Sequence, residues 1–357
     1  KEFYDIFKNG LKRLYPIEKK KITNIIFARL LVNLINKQDP KNANETFYWL
    51  EEMYKQHGNN EELAIEYAKG LFNLSNKQDE AVANELILRL DKLNKKYEGN
   101  EEIALRYAQS LVNLLCKQNK TKEGAEQTIC RLEELNRRYK GNEEIALRYA
   151  KGLFNLSNMQ GEKEAKKTIY RLGEQSKRYE RNEEIAIVYA QSLFNLLYGQ
   201  NEEDAKETIQ LLEILSRGHK KNEEIILAYA QGLLSLSNKQ EEEDAKETVS
   251  CLEKLSENYR GNSEIALRYA KGLVNLLNKQ NEEEAKKTIN RLEELSKEYA
   301  GNEEIALRYA KGLFNLLGKQ DEDGAEKTIR LLGEQCMKYK MVREWIEMFW
   351  VQTEENE

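Results

Sequence analysis

An aromatic side chain returns through this sequence at a nearly fixed interval. Phe27, Tyr67, Tyr107, Tyr149, Tyr189, Tyr229, Tyr269 and Tyr309 are spaced 40, 40, 42, 40, 40, 40 and 40 residues apart. What surrounds the aromatic returns with it: residues 142 to 156 recur letter for letter at 302 to 316, inside the stretch GNEEIALRYAKGLFNLLGKQ. A period between about 20 and 50 residues marks a unit that cannot bury its apolar face alone and is stable only when stacked on neighbouring copies. Eight such copies are expected across residues 20–340. The single interval of 42 has a local cause, the turn NKTKEG after Gln118, which is two residues longer than its counterparts. Insertions settle where backbone is solvated.

Each copy reads as two helices. Gly141, Gly261 or Gly301 supplies the left-handed residue that ends one helix, and Asn142, Asn262 or Asn302 is the N-cap of the next. Glu143 and Glu144 then occupy the first turn, where unpaired amides and the helix dipole favour carboxylates. Arg181 and Lys221 stand where the glycine is expected, so those two junctions should be tighter or strained. On a helical wheel, Ile145, Ala146, Leu147, Tyr149, Ala150, Leu153, Phe154 and Leu156 fill roughly 200°, wider than the stripe of a surface helix. The first helix is therefore packed on more than one side. In the second, Ala165, Thr168, Ile169, Leu172 and Tyr179 fill only roughly 120°, as an outer layer would.

The small residue at the Gly152 position, the alanine opening each second helix (Ala165, Ala205, Ala245, Ala285, Ala325) and the apolar residues after it resemble the tetratricopeptide repeat family. That family repeats every ~34 residues with a Trp-x-x-Leu-Gly-x-x-Tyr pattern and a closing proline. This chain uses 40, without the tryptophan or that proline. The resemblance implies a right-handed all-α solenoid (an α-α superhelix) of about eight helix-turn-helix repeats. It also implies that the first helices line a concave groove in which proteins or extended peptides bind.

The polar arc of the first helix would then face the groove. One row reads Asn33, Asn73, Asn113, Asn155, Asn195, Ser235, Asn275 and Asn315. Asparagine is a poor mid-helix residue, so its recurrence asks for a reason. Either the amides bond the backbone of an extended ligand, or each bonds a neighbouring helix and fixes the stacking. A second row holds Arg106, Arg148, Arg268 and Arg308, and a third Lys69, Lys151, Lys271 and Lys311, with Val188 and Ala228 neutral between. Arginine holds carboxylates in a fork, so an acidic partner fits; the bland alternative is that these cations pair with nearby glutamates. The groove candidates are Arg106, Asn113, Arg148, Lys151, Asn155, Asn195, Arg268, Lys271, Asn275, Arg308, Lys311 and Asn315.

Two other segments flank the array. Residues 1–19, with Phe3, Ile6, Phe7, Leu11 and Leu14 on a stripe, read as an N-terminal capping half-repeat. Residues 341–357 read as a capping helix and tail. Trp345, Phe349 and Trp350 there either seal the last repeat or form a partner or dimer surface. The chain opens on Lys1, which suggests a processed product or a piece of something longer. A sensor or targeting domain of a larger protein or enzyme therefore stays open.

Chemistry is hard to find. His57 and His219 are far apart, and there is no phosphate-cradling glycine loop, HExxH or GxSxG. The expectation is a protein that is not an enzyme and needs no cofactor or metal. Opposed counts of 57 basic and 62 acidic residues, net −5, argue against nucleic acid and anionic lipid as partners, although an RNA-binding helical repeat remains an alternative. No apolar run could span a bilayer. The four cysteines have no CxxC spacing, which points to reduced thiols and a cytoplasmic location.

Overall fold

In the computed structural model, residues 21–118 and 122–354 are described. The expected half-repeat at 1–19 lies outside them. Among the described residues every regular element is an α-helix, and the helices fall into two compact units, residues 1–189 and 190–357.

The first unit contains α1 (Lys21–Lys37), α2 (Pro40–His57), α3 (Glu61–Lys77), α4 (Glu80–Lys96), α5 (Glu101–Lys117), α6 (Lys122–Arg138), α7 (Glu143–Asn158) and α8 (Glu162–Arg178). The helix α9 (Glu183–Leu196) carries the chain into the second unit, with α10 (Glu202–Gly218), α11 (Glu223–Lys239), α12 (Glu242–Asn258), α13 (Ser263–Lys279), α14 (Glu282–Glu298), α15 (Glu303–Leu317), α16 (Glu322–Lys338) and α17 (Lys340–Glu354). Odd-numbered helices open the hairpins and even-numbered helices close them, apart from α17. Within a unit, each hairpin stacks on the next.

The two wheel arcs have a direct cause. Helix α5 packs on its own partner α6, on the preceding second helix α4, and on the first helices α3 and α7. Helix α4 packs on α3 and α5. The first helix is enclosed, so its wide apolar arc is buried: in α7, Ile145, Ala146, Ala150 and Leu153 are fully buried and Leu147 nearly so. The second helix packs closely on first helices, reaches its neighbouring second helices through side-chain pairs such as Arg171 with Glu133 and Arg291 with Glu253, and keeps its opposite side in water. The second unit repeats the scheme, with α13 set among α11, α12, α14 and α15.

Helix ends follow the punctuation of the sequence. Asn142 Oδ1 accepts from the Ile145 amide at 3.0 Å and Asn262 from the Ile265 amide at 3.2 Å. Gly141, Gly261 and Gly301 have φ of 101°, 93° and 101°, as does Gly99 at 91°. Arg181 and Lys221 do not bear out the expected strain, since no described residue other than glycine has positive φ. Their turns still close, with the Asn182 amide 2.8 Å from the Tyr179 carbonyl and the Asn222 amide 2.9 Å from that of His219.

Two sets of polar ties hold the hairpins. Inside a hairpin, the glutamine just after the first helix accepts from a threonine of the second, as in Thr128 to Gln118 (2.9 Å), Thr248 to Gln240 (2.7 Å) and Thr288 to Gln280 (2.7 Å), all buried. Between hairpins, the lysine ending one first helix reaches the carbonyls that end the preceding one. Lys117 donates to the Ser75 carbonyl at 2.9 Å and to that of Gln78, and Lys279 to the Ser237 carbonyl at 3.2 Å and to that of Gln240. A cation there meets unpaired carbonyls and the negative end of the helix dipole. Among the described residues, no helix is long and apolar enough to cross a membrane.

Candidate binding face

The strip of each first helix left uncovered by packing carries the three predicted rows. All twelve groove candidates lie on it; Asn195 is exposed and the other eleven are half-buried. The packing that encloses α5, α7, α13 and α15 fixes where their side chains emerge, and long side chains lie along the surface with their stems covered.

The asparagine row is a cross-link. Asn113 Nδ2 donates to Asn76 Oδ1 at 2.7 Å, Asn315 to Asn278 at 2.7 Å, and Asn275 to Asn238 in the same way. Asn155 faces Cys116 Sγ at 3.6 Å, and Asn73 reaches the Val32 carbonyl at 3.4 Å. In each case the acceptor belongs to the preceding first helix, so of the two readings offered for this row the interhelical one describes the geometry of these five. Asn195 also makes a polar contact.

The cationic rows differ between the units. In the first, every cation has a carboxylate. Lys69 Nζ lies 3.1 Å from Glu66 and 2.9 Å from Glu102, and Arg106 is 3.8 Å from Glu102. Arg148 meets Glu144 at 3.2 Å and Lys151 meets Glu184 at 3.4 Å. Glu66, itself buried, also takes Arg29 at 3.4 Å. This is the ladder of paired charges that the alternative reading of these rows expects.

The second unit is unbalanced. Arg268 pairs with Glu264 at 3.2 Å and donates to Gln231. Among the described residues, the side chains of Lys271, Arg308 and Lys311 make no ion pair and no hydrogen bond; Lys311 Nζ rests 5.4 Å from the centroid of the Trp345 ring, a cation-π distance. Burial, then repulsion from Arg268 and Arg308, pulls the Lys271 ammonium below its usual value; burial, then Arg308, does the same to Lys311. Burial also lowers Arg308, whose buried Nε has no acceptor.

Trp345 packs inward. Its ring meets Phe314 edge-on at 5.7 Å, beside the small core of Ala306, Ala310, Tyr339 and Val342. The side chains of Phe349 and Trp350 lie outside the described residues, so the surface assigned to them is not placed.

On the opposite side, notches between second helices are floored by the repeated tyrosine. One of 300 Å³ is lined by Asp91, Tyr107, Arg131 and Glu134 among others. Another, of 160 Å³, holds Tyr269, whose hydroxyl donates to Glu253 at 3.0 Å, with Arg291 paired to the same carboxylate. Both charge signs meet in each. His57 and His219 fall at helix ends in different units. Among the described residues no three His, Cys, Asp or Glu side chains gather as metal ligands would.

Sequence reasoning missed the clamping lysines and the glutamine–threonine pairs. Their signal was present in the recurring Lys-Gln dipeptide at 117–118, 239–240, 279–280 and 319–320, and in the threonine eight or ten residues later.

No family model matches the sequence, and no match to a curated protein was found. Solved structures do resemble it. An engineered protein solved by the Northeast Structural Genomics Consortium is 19% identical, with a TM-score of 0.50 over 82% of this chain and 74% of that one. A circular tandem repeat protein with novel repeat topology and enhanced subunit contact surfaces is 18% identical over 90% of this chain and 97% of its own, with a TM-score of 0.38. The likeness to the first shows the fold alone: this chain is an all-α protein of stacked helical hairpins, an α-solenoid.

Proposed function

We propose that the chain is a binding scaffold without chemistry of its own, which holds a protein or extended peptide along the first helices. The observation that carries this reading is the fixed spacing of the cationic rows. Asparagine cross-links tie each first helix to the one before it, so the arginines and lysines beside them are presented at set intervals on a packed support. Such preorganisation reduces the ordering cost of binding. The tetratricopeptide-like features, a small residue where helices cross and an alanine opening each second helix, add to the reading, since that family is expected to bind peptides on the same helices. Four free cysteines, three of them exposed, suit a reducing compartment such as the cytoplasm.

The test starts from peptides selected on the intact chain from a random phage library. Their affinities are then measured by fluorescence anisotropy for the wild type, for Arg148→Glu/Arg308→Glu on the first helices, and for Lys177→Glu/Lys297→Glu on the exposed side of the second helices. The first pair should weaken binding by about tenfold or more, equivalent to ~1.4 kcal/mol, and the second should leave it within about twofold. The reverse pattern would place the ligand on the second helices and defeat the reading.

A further inference from the structure

The cationic surplus of the second unit has a definite size. Arg268 and Lys271 lie one turn apart on α13 and Arg308 and Lys311 one turn apart on α15, helices that pack side by side, so the four form one group. Among the described residues, Glu264 and Glu304 oppose them in the same field. Four positive charges against two negative leave an excess of two. The equivalent strip of the first unit has Arg29, Lys69, Arg106, Arg148 and Lys151 against Glu66, Glu102, Glu144 and Glu184, an excess of one in which every cation has an ion pair. The same rows on the same scaffold are closed in one unit and open in the other.

Like charges crowded on half-buried stems repel, and the arrangement is relieved by an anion that reaches all of them at once. A run of carboxylates spreads single charges along a peptide. A phosphomonoester concentrates about −1.5 to −2 in three acceptor oxygens on one atom, which matches the excess and suits a guanidinium fork with two ammonium groups beside it. Trp345, held against Phe314, offers an apolar ring next to Lys311 for the residue that flanks such a group.

We infer that Lys271, Arg308 and Lys311, with Arg268 behind them, form a site for a phosphorylated serine or threonine displayed on an extended peptide. The inference rests on the peptide-binding reading above and narrows it to one unit and one partner chemistry.

Three immobilised decapeptide libraries test it, identical except for phosphoserine, serine or glutamate at the central position. The wild-type chain should be retained on the phosphoserine library at least about tenfold more strongly than on the other two. Lys271→Gln/Lys311→Gln should lose that preference, and Lys177→Gln/Lys297→Gln, on the exposed side of the second helices, should keep it within about twofold. Circular dichroism checks that both variants stay helical. Equal retention on glutamate, equal loss from Lys177→Gln/Lys297→Gln, no loss from Lys271→Gln/Lys311→Gln, no retention of the wild type, or capture of a homopolymeric RNA in place of the phosphopeptide would each overturn the inference. The phage-selected peptides separate the two failures: they still depend on the first helices if only the phosphate assignment is wrong, and lose that dependence if the binding face itself is wrong.

Discussion

Gly232 shows how a single missing Cβ sets the distance between helices. A Cβ built there would stand 2.7 Å from Ile209 Cδ1, 3.0 Å from Leu212 Cδ1 and 3.2 Å from Leu197 Cδ1. Those methyls belong to a buried interface and can retreat only by loosening it. Gly232→Ala should lower stability by about 1–2 kcal/mol in urea unfolding, because overpacking outweighs the ~1 kcal/mol of helix propensity that alanine gains. Ser110, buried at the same place in α5, shows that the slot can open for a Cβ and a hydroxyl, so the variant should remain folded. Thr248→Val tests the opposite kind of loss. It keeps the shape but leaves the buried Gln240 oxygen without its donor, and should cost about 1–3 kcal/mol. The glycine was legible from its sequence context, since a small residue in an apolar arc asks to be approached. The glutamine was not, because a polar residue after a helix reads as solvated turn until the threonine facing it is seen.

At the level of the helix, the joint between hairpins depends on the terminal lysine. Lys279→Met keeps most of the apolar stem and removes the charge that holds the carbonyls ending α11. A loss of about 1–2 kcal/mol is expected, together with faster amide exchange in the last turn of α11. Met159 and Gly199 stand where this lysine is expected, which marks their joints as differently made. Helix boundaries, caps and the two arcs were readable because each follows from local pattern. The ion pairing of every cation in the first unit was not readable from the cationic rows alone. It depends on Glu66, Glu102, Glu144 and Glu184, which sit one turn before those rows or one hairpin further on, and only the stacking brings them within ion-pair distance.

For the whole molecule, the repeated aromatic links stability to alkaline pH. Tyr67 and Tyr189 are pushed up to about 12 by burial, the nearby Glu51 and Glu174 adding to it. Tyr107, Tyr229, Tyr269 and Tyr309 are raised as well, again chiefly by burial. A folded-state value above the unfolded one, near 10, means the folded chain keeps these protons longer. Their contribution is therefore complete below about pH 10 and lost as pH rises through the folded values. Chemical denaturation midpoints should fall steeply between about pH 10 and 12, and the fall should lessen in Tyr67→Phe/Tyr189→Phe. The period was enough to read this architecture, because a unit that cannot stand alone leaves the chain few ways to fold.

The lysine clamp also bears on how such a chain changes length over generations. Each joint needs only a cation from the incoming hairpin and bare carbonyls on the outgoing one, and Lys319 makes on α13 nearly the grip that Lys279 makes on α11. Removing residues 262–301 splices Gly261 to Asn302, reproducing the natural Gly-Asn boundary, and sets Lys319 over the carbonyls Lys279 now holds. Such a deletant should fold one hairpin shorter, with the same helicity per residue. Unequal recombination between near-identical stretches would thus yield viable proteins of different length, open to selection for reach alone.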